Sequence, residues 1–414
     1  MRAEVVAVGT ELLLGDIANT NAAHIGRALA TVGVDCFIHT AVGDNTERIA
    51  EAIGTALARA DAVIVTGGLG PTQDDVTREA IARLTGRPLR RDPAIVEHLR
   101  ARFAELGREM AETNLRQADV PDGASVIEQT FGTAPGLIVP HGDGVIYALP
   151  GVPAEMEEML ARAVLPDMLG RSGEPATILS RVVRVAGMSE SAVAERLSPT
   201  WDMLGGDVTM AFLAGGGEVR IRLTAKAPDG ARVHELLDAG EAAVRQALGP
   251  SVVGTDADTL EVVIGKLLLA RGWTLACAES LTGGALAGRI VSVAGSSEYF
   301  RGSIVAYATE LKASLLGVPR AVLDEHGPVS AECARAMAAG ARSRLGADVG
   351  LAVTGVAGPT EQGKPVGTVV LGVAGPAGAT EREIRLPGDR NVVRALSTGA
   401  ALNLLRLHLM EGVR

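Results

Sequence analysis

From position 273 the chain reads Trp273-Thr274-Leu275-Ala276-Cys277-Ala278-Glu279-Ser280-Leu281-Thr282-Gly283-Gly284, and a helical pattern follows at 285–291. An apolar run that ends in a turn and a helix predicts a strand–turn–helix unit with Ser280 exposed at the carboxyl edge of a sheet. The glycines bare N–H groups at the helix start, where negative charge is stabilised, as a nucleophilic serine requires. A tight turn in which Ser or Thr caps the helix gives the same pattern, and these residues alone favour it.

The composition indicates a multidomain α/β protein. A chain of 414 residues corresponds to two or three domains, and its 47% apolar and 2% aromatic residues predict cores of Ala, Val, Leu and Ile. The 51 glycines are spread through short turns, as expected of many strand–helix connections. A net charge of −10 argues against a general nucleic-acid surface but leaves anionic small molecules open.

The cysteine spacing, the first residues and the length of the apolar runs indicate where the protein is located in the cell. Cys36, Cys277 and Cys333 are far apart, so neither a disulfide framework nor a zinc site is expected. The first residues read as a strand rather than a signal peptide, and no apolar run is long enough to span a membrane. We therefore expect a soluble cytoplasmic protein without membrane partners, and apolar domains of this size are expected to form a homodimer.

The order of patterns predicts three domains. Residues 1–169 alternate strands at 5–8, 35–40 and 62–66 with helices at 19–31, 47–59 and 72–85, as in a parallel sheet. A linker at 170–175 leads to a small α+β unit at 176–250, with a hairpin of 208–213 and 218–226 joined by 215–217. A second linker at 249–258 precedes another α/β rhythm at 255–414. The predicted fold class is α/β, with two three-layer, parallel-sheet-rich domains joined by the small α+β domain.

Two groups of loops in the first domain are predicted to meet at one sheet edge. Residues 66–75, Thr-Gly-Gly-Leu-Gly-Pro-Thr-Gln-Asp-Asp, follow a strand and open a helix, and 9–12 end the first strand. The glycines allow close backbone approach to a ligand, Thr72 can cap the helix, and its start can take a phosphate. Asp74 and Asp75 either hold a divalent cation or only favour the helix dipole. Residues 150–155 form a third wall or begin a helix with proline.

In the last domain, several polar residues follow predicted strands. Lys312 comes shortly after Tyr307, and a lysine in a desolvated pocket can lose its proton and activate a serine. Thr354 and Gly355 end another strand, and Arg394 in the last helix can bind phosphate or carboxylate. Each residue also has a structural alternative: a solvated lysine, a packed tyrosine, an ordinary strand end and a surface arginine. Spacing alone favours the structural role for Lys312 and Tyr307, and a surface arginine is the usual case for Arg394.

The N-terminal motifs GTELLLGDIANTN at 9–21, TGGLGPTQDD at 66–75 and PGVPAEME at 150–157 resemble the N-terminal domain of the CinA family. That domain is similar to molybdopterin-binding domains and is associated with metal-dependent hydrolysis of ADP-ribose to AMP and ribose 5-phosphate. The resemblance implies a divalent cation (Mg, Mn or Co) on Asp74 and Asp75, and potassium as an activator. It further implies substrate contacts from the same loops: Glu11, Asn19, Asn21, Thr66, Gly67, Gly68, Gly70 and Thr72.

The C-terminal motifs AESLTGG at 278–284, AYATELK at 306–312 and VTGVAGP at 353–359, with Arg394, resemble the CinA C-terminal domain, a nicotinamide-nucleotide amidase. The resemblance implies conversion of nicotinamide mononucleotide to nicotinic acid mononucleotide and ammonia without a cofactor. Ser280 would be the nucleophile and Lys312 its base, and Tyr307 would assist proton transfer or orient Lys312. Substrate contacts would come from Gly283, Gly284, Thr354, Gly355 and Arg394. Leu281 stands where relatives often carry cysteine.

The middle unit is similar in outline to KH-type domains but lacks a recognisable G-x-x-G loop. Together the resemblances imply a bifunctional hydrolase of pyridine-nucleotide salvage. The alternative is a non-catalytic pterin- or nucleotide-binding scaffold linked to competence and recombination. Ammonia release in the presence of a chelator separates the two.

Overall fold

The computed structural model describes residues 1–105, 107–172, 177–204, 206–215, 217–361, 363–376 and 378–411. The chain divides into two compact units. One comprises Met1–Leu179 with Lys226–Glu235, and the other comprises Ser180–Ala225 with Leu236–Arg414. Among the helices within these described ranges, none is long and apolar enough to cross a membrane.

The N-terminal domain alternates strands and helices. Its strands are β1 Arg2–Val8, β2 Asp35–Val42, β3 Ala62–Thr66, β4 Leu89–Arg91, β5 Asp119–Pro121, β6 Ser125–Ile127, β7 Gly136–His141 and β8 Gly144–Leu149. Its α-helices are α1 Thr10–Leu14, α2 Thr20–Thr31, α3 Thr46–Leu57, α4 Thr77–Thr85, α5 Pro93–Glu105, α6 Pro153–Met159 and α7 Leu165–Ser172. A π-helical segment, Leu160–Val164, joins α6 to α7.

The main sheet has the order β2-β1-β3-β8-β7-β6. The first four strands are parallel, and β7 runs antiparallel to both β8 and β6. Alternate side chains enter two separate cores, because successive residues of a strand point to opposite faces. Val63 and Val65 pack on the side of α3 and α4, whereas Ile64 packs on the side of α2 and α6. This is the three-layer arrangement that the sequence predicts.

Two local predictions in this domain are wrong. Helix α4 begins at Thr77 rather than at 72, because Thr72 donates from its backbone N–H and its hydroxyl to the Asp75 carboxylate, forming a turn before the helix. In the predicted linker at 170–175, helix α7 continues to Ser172, and 173–175 lie outside the described residues.

The middle domain is a four-stranded sheet with two helices. Its elements are β9 Thr177–Ala186, α8 Glu190–Met203, β10 Val208–Gly215, β11 Glu218–Ala227, α9 Gly230–Leu248 and β12 Val252–Thr255, in the sheet order β10-β11-β9-β12. The predicted hairpin is present as the antiparallel pair β10–β11, and Gly216 in its turn lies outside the described residues. The predicted linker at 249–258 is wrong in part, because β12 pairs with β9 and completes the sheet.

The C-terminal domain has the sheet order β14-β13-β15-β16-β17. Its strands are β13 Leu275–Glu279, β14 Phe300–Val305, β15 Val349–Gly355, β16 Thr368–Gly375 and β17 Gly378–Arg385. Its α-helices are α10 Leu260–Leu269, α11 Ala285–Val291, α12 Thr309–Ser314, α13 Arg320–His326, α14 Ala331–Arg344 and α15 Arg390–Glu411. Strands β14, β13 and β15 are parallel, and β16 and β17 are antiparallel to their neighbours.

The two faces of this sheet carry different helices. Leu275 and Cys277 pack in the core formed with α10 and α15, whereas Ala276 and Ala278 pack against α14. Both faces are covered, and only the strand ends reach the edge where a ligand can enter. The turn that begins at Ser280 follows the carboxyl end of β13 at this edge.

Candidate functional site

Ser280 lies directly after β13 and is fixed by the neighbouring strand. Its N–H donates to the carbonyl oxygen of Val353 at 3.0 Å. The predicted exposure of Ser280 is wrong, because the turn packs into the sheet edge and leaves this residue only 8% exposed. The parallel register pairs Glu279 with Val353, so Ser280 and Thr354 are neighbours on adjacent strands. By the two-residue alternation, Thr354 points to the same face as Ala352, which packs against α14.

Lys312 is brought to this face by α12. It is only 2% exposed, and its Nζ donates to Thr354 Oγ1 and to the carbonyl oxygen of Pro328, each at 2.7 Å. Thr354 Oγ1 in turn donates to the Pro328 carbonyl at 2.8 Å. The fold therefore joins Lys312 to a threonine 42 residues away in the chain. Among the described residues, Ser280 Oγ has no hydrogen-bond partner. Lys312 and Ser280 both lie next to Thr354, but no hydrogen bond joins Lys312 Nζ to Ser280 Oγ.

Burial lowers the pKa of the Lys312 ammonium, and the smaller influence of Cys333 acts in the opposite direction. No carboxylate within the described part of the chain forms an ion pair with this lysine. A buried ammonium without a counter-ion is unfavourable, so the environment favours the neutral amine. A neutral amine has two N–H groups, and both have acceptors here, which leaves the nitrogen lone pair free.

Glu279, the last residue of β13, organises the turn after Ser280. Its carboxylate is fully buried and accepts five hydrogen bonds, from Thr282 Oγ1, Gly284 N, Leu286 N, Ala287 N and Ser303 Oγ at 2.8–3.1 Å. Three of the donors are backbone N–H groups at the start of α11. The carboxylate therefore occupies the helix start that the sequence suggested for substrate.

This arrangement corrects the expectation for Gly283 and Gly284. The N–H of Gly283 donates to the carbonyl oxygen of Ser280 at 3.1 Å, and the N–H of Gly284 donates to Glu279. Both glycines have positive φ, which the turn requires and which other residues rarely adopt. Within the described ranges, the N–H groups of Leu281 and Thr282 have no acceptor, so they are the free backbone donors beside Ser280.

The structure also changes the expected roles of Arg394 and Tyr307. Arg394 donates from Nε to the Leu281 carbonyl at 3.1 Å and from Nη2 to the Thr282 carbonyl at 2.9 Å, so it holds the turn. The Tyr307 hydroxyl is exposed and accepts a bond from Arg390 Nη2 at 2.5 Å, rather than contacting Lys312. Arg390 also donates to the Gly358 carbonyl at 2.7 Å, which places an exposed cation at this edge.

Gly355 has a packing role. A Cβ at this position would lie 2.6 Å from the Thr368 carbonyl oxygen, because β16 approaches closely. Glycine is therefore required here for the β15–β16 pairing, whether or not substrate contacts it.

In the N-terminal domain, a cavity of about 110 Å³ lies beyond the carboxyl ends of β1 and β3. It is lined by Glu11, Asn19, Asn21 and Thr66, and by the loop that contributes Gly151 and Pro153. Asn21 Nδ2 donates to Thr66 Oγ1 at 3.1 Å and to the Gly151 carbonyl at 2.8 Å, which ties the start of α2 to the end of β3 and to the loop after β8. Asn19 caps α2 through its side-chain oxygen, and Glu11 is exposed.

The other predicted residues of this domain do not line that cavity. Gly67 and Gly68 have positive φ, and a Cβ would lie 2.2 Å from the Val8 carbonyl oxygen or 2.3 Å from Thr77 Oγ1, respectively. A Cβ on Gly70 would lie 2.4 Å from the Asp75 carboxylate. The glycines are thus required by close packing of the loop against the end of β1, the start of α4 and its own Asp75 side chain.

A divalent cation has a limited set of ligands here. Asp74 is exposed, and one Asp75 oxygen accepts the bonds from Thr72, while the other oxygen has no hydrogen-bond donor in the part of the chain that the structure describes. In the described ranges, no three His, Cys, Asp or Glu side chains are grouped to hold a metal ion. Magnesium commonly binds one or two carboxylates together with substrate phosphates and water, and Asp74 with Asp75 fits that shared arrangement.

Three family models match the chain. The probable molybdopterin binding domain matches residues 4–170, the damage-inducible protein CinA KH domain matches 180–254, and the CinA C-terminal domain matches 257–409. A CinA-like protein of Frankia casuarinae is 54% identical and is aligned over 98% of this chain and 96% of its own length. The chain belongs to the CinA family. A putative competence-damage inducible protein of Symbiobacterium thermophilum is 46% identical, with 99% of both chains covered.

Among solved structures, the CinA protein of unknown function from Thermoplasma acidophilum is 37% identical over 41% of this chain and 97% of that one, with a TM-score of 0.37. The three family models and the CinA-like relative confirm the predicted family and fold class: a molybdopterin-binding-like α/β domain, a KH-like α+β domain and the CinA C-terminal α/β domain. The relatives' names give the family and no reaction.

In this CinA-family chain, the motifs did not identify several residues that shape the two sites. Glu279 is an acidic residue at the end of an otherwise apolar strand. That position is a signal that could have identified it, because a buried charge needs hydrogen-bond partners. Arg78 is 2% exposed and donates to the carbonyls of Leu69 and Gly70, and Arg116 donates to the Thr72 carbonyl. No local pattern marks these two arginines or Arg390, because most of their acceptors are backbone carbonyls, and the Glu79 carboxylate and the Tyr307 hydroxyl are distant in the chain from Arg116 and Arg390.

Proposed function

We propose that the C-terminal domain hydrolyses the carboxamide of nicotinamide mononucleotide to give nicotinic acid mononucleotide and ammonia. The observation that carries this proposal is Lys312, a buried lysine with two neutral acceptors and a lowered pKa, next to the serine turn. A base of this kind can accept the proton of a serine hydroxyl. The family resemblance supplies the substrate.

In the proposed mechanism, Ser280 Oγ attacks the carboxamide carbon, and its proton passes to the free lone pair on Lys312 Nζ. The negative charge that develops on the carboxamide oxygen is stabilised by the unengaged N–H groups of Leu281 and Thr282. Ammonia leaves with the proton from Lys312, which gives an ester on Ser280. Water then attacks the ester with Lys312 as the base and regenerates the hydroxyl. Ser280 Oγ must reach Nζ in the substrate complex.

The edge of the site offers recognition of the phosphate. Arg390 is exposed and is held by the Gly358 carbonyl and the Tyr307 hydroxyl, so its guanidinium is oriented before substrate binds. Arginine forms charge-assisted bonds to phosphate oxygens. We propose that Arg390 and Tyr307 contact the phosphate, whereas Arg394 and Thr354 support the serine turn and Lys312.

The test is ammonia release from nicotinamide mononucleotide with a chelator present. The wild-type chain should release ammonia, and Ser280→Ala and Lys312→Met should each reduce the rate to near background. Ser292→Ala is the matched control, because this exposed serine bonds only the Arg289 carbonyl at the far end of α11. No release by the wild-type chain would contradict the proposal and favour a non-catalytic nucleotide-binding protein.

We further propose that the N-terminal domain hydrolyses ADP-ribose to AMP and ribose 5-phosphate. The observation in favour is the convergence of Asn21, Thr66 and the Gly151 loop around a cavity beyond the strand ends. The cavity holds only part of such a ligand, so the rest would lie along residues 72–74, the exposed part of the 66–75 loop. Asp74 and Asp75 would hold a divalent cation, which neutralises diphosphate charge when bound.

This second activity is tested by AMP formation from ADP-ribose with Mg²⁺, Mn²⁺ or Co²⁺ supplied, with and without potassium. Asp74→Asn should abolish AMP formation and leave ammonia release unchanged, since the C-terminal reaction needs no metal in this scheme. Full AMP formation by Asp74→Asn would remove the metal role of this residue.

A further inference from the structure

The hairpin of β10 and β11 contacts α11, the helix that follows the serine turn. Glu218 begins β11 and is only 8% exposed. One of its carboxylate oxygens lies 3.7 Å from Arg289 Nη2 on α11, and the other accepts a bond from Arg184 Nη1 at 3.4 Å. Arg289 also donates through Nε to Glu261 on α10. A chain of alternating charges therefore joins the middle domain to α11.

The same hairpin contacts α15. A Cβ on Gly217 would lie 3.6 Å from the Cα of Gly399 and 3.8 Å from Leu396 Cδ2, so the hairpin turn approaches this helix at a glycine. Helix α15 carries Arg394, which holds the carbonyls of Leu281 and Thr282. The hairpin thus touches both helices that fix the residues after Ser280.

The contact with α11 depends on few atoms. A cavity of about 660 Å³ opens beside it and is lined by Arg184, Glu218, Arg220, Glu261 and Arg289. Apolar packing is therefore interrupted at this point, and the ion pairs make the connection. Glu218 is buried, whereas the Arg289 and Arg184 side chains are 30% and 19% exposed. Removing the Glu218 charge leaves these partly buried arginines less well compensated, so they must move or hydrate.

We propose that the middle domain positions the serine turn, with Glu218 holding α11 through Arg289 while the hairpin turn rests on α15. Glu218 acts as a positioning residue, since it touches neither Ser280 nor substrate. The expected effect of Glu218 on the rate of ammonia release rests on the amidase activity proposed above. Its expected effect on the order of α11 does not depend on that activity.

The experiment uses the full chain with Glu218→Gln, Glu218→Asp and the control Glu235→Gln. Glu235 forms an exposed ion pair with Arg232 in the same domain. We measure kcat and KM for ammonia release from nicotinamide mononucleotide, and hydrogen exchange of the α11 amides. Glu218→Gln should lower kcat on the order of five-fold with KM unchanged, and should accelerate exchange in α11. Glu218→Asp, which keeps the charge, should recover part of both effects, and Glu235→Gln should change neither.

If the α11 amides of Glu218→Gln exchange hydrogen at the wild-type rate, the proposal is overturned, whatever the kinetics of ammonia release. Faster exchange spread equally over α11, β13 and β15 would also overturn it, because Glu218 would then contribute only general stability. If the wild-type chain shows no amidase activity, the proposed function fails, and exchange confined to α11 still decides the role of Glu218.

Discussion

Glu279→Gln is expected to destabilise the C-terminal domain strongly although it changes a single group. One carboxylate oxygen accepts from Thr282 Oγ1, Gly284 N and Leu286 N, and the other accepts from Ala287 N and Ser303 Oγ. The best orientation of the new amide keeps its oxygen toward the first three donors. Its NH₂ group then faces the N–H of Ala287, while the hydroxyl of Ser303 can rotate to accept.

The magnitude follows from these bonds. One buried N–H without an acceptor costs about 1–3 kcal/mol, and each bond that loses its charged acceptor weakens by about 1 kcal/mol. Relief of the burial cost of the charge offsets part of the loss. The expected decrease in the free energy of unfolding is therefore about 2–4 kcal/mol. The rate of ammonia release should also fall, because the turn after Ser280 loses its anchor.

The assay is urea unfolding followed by tryptophan fluorescence. The chain has two tryptophans, and Trp201→Phe in every variant leaves Trp273, which packs on the C-terminal core, as the only reporter. Glu298→Gln is the matched control, since this exposed glutamate should change stability by less than about 0.5 kcal/mol. Unfolding of Glu279→Gln within about 0.5 kcal/mol of wild type would refute the reasoning, because the five bonds would then carry no net energy.

Further predictions concern the base and the arginines. For the wild-type chain, kcat/KM for ammonia release should rise with pH through the pKa of Lys312, which burial holds below the ordinary lysine value, because only the neutral amine accepts a proton; a pH-independent kcat/KM would contradict this role. Thr354→Val removes one acceptor from Lys312 and should lower kcat by roughly 5- to 160-fold, which corresponds to the cost of about 1–3 kcal/mol for an unsatisfied buried donor, with the Tm measured in parallel. Arg394→Lys should lower kcat more than it raises KM, because two of its donors hold the serine turn. Arg390→Ala should raise KM for nicotinamide mononucleotide with little change in kcat; the reverse pattern for the two arginines would show that their roles are exchanged.

The sequence predicted the parts of the fold that local patterns encode. The continuous apolar run at 62–66 became a buried strand, and the strand–turn–helix unit around Ser280 formed as expected. Short elements without such a pattern were not predicted. Strand β12 has four residues and exists because β9 offers it a partner, so the segment alone reads as a linker.

The site residues show the same limit. Motif positions identified Ser280, Lys312 and Thr354, which the fold brings into one neighbourhood. Their partners depend on distant backbone atoms, which no spacing encodes. Tyr307 was expected near Lys312 five residues away, yet the strand end points its hydroxyl to Arg390. The sequence predicts that Thr72 caps a helix by accepting a bond from a backbone N–H. Instead, Thr72 donates its own N–H and hydroxyl to the Asp75 carboxylate, and the segment forms a turn.

The central claim, that Ser280 becomes acylated with Lys312 as its base, is tested most directly by acid quench during turnover. The full chain is mixed with nicotinamide mononucleotide and quenched, and its peptides are analysed by mass spectrometry. We expect the acyl group of the substrate on the peptide that contains Ser280, and no such adduct in Ser280→Ala or Lys312→Met. Ammonia release by Ser280→Ala at the wild-type rate, with no adduct in either protein, would contradict the claim.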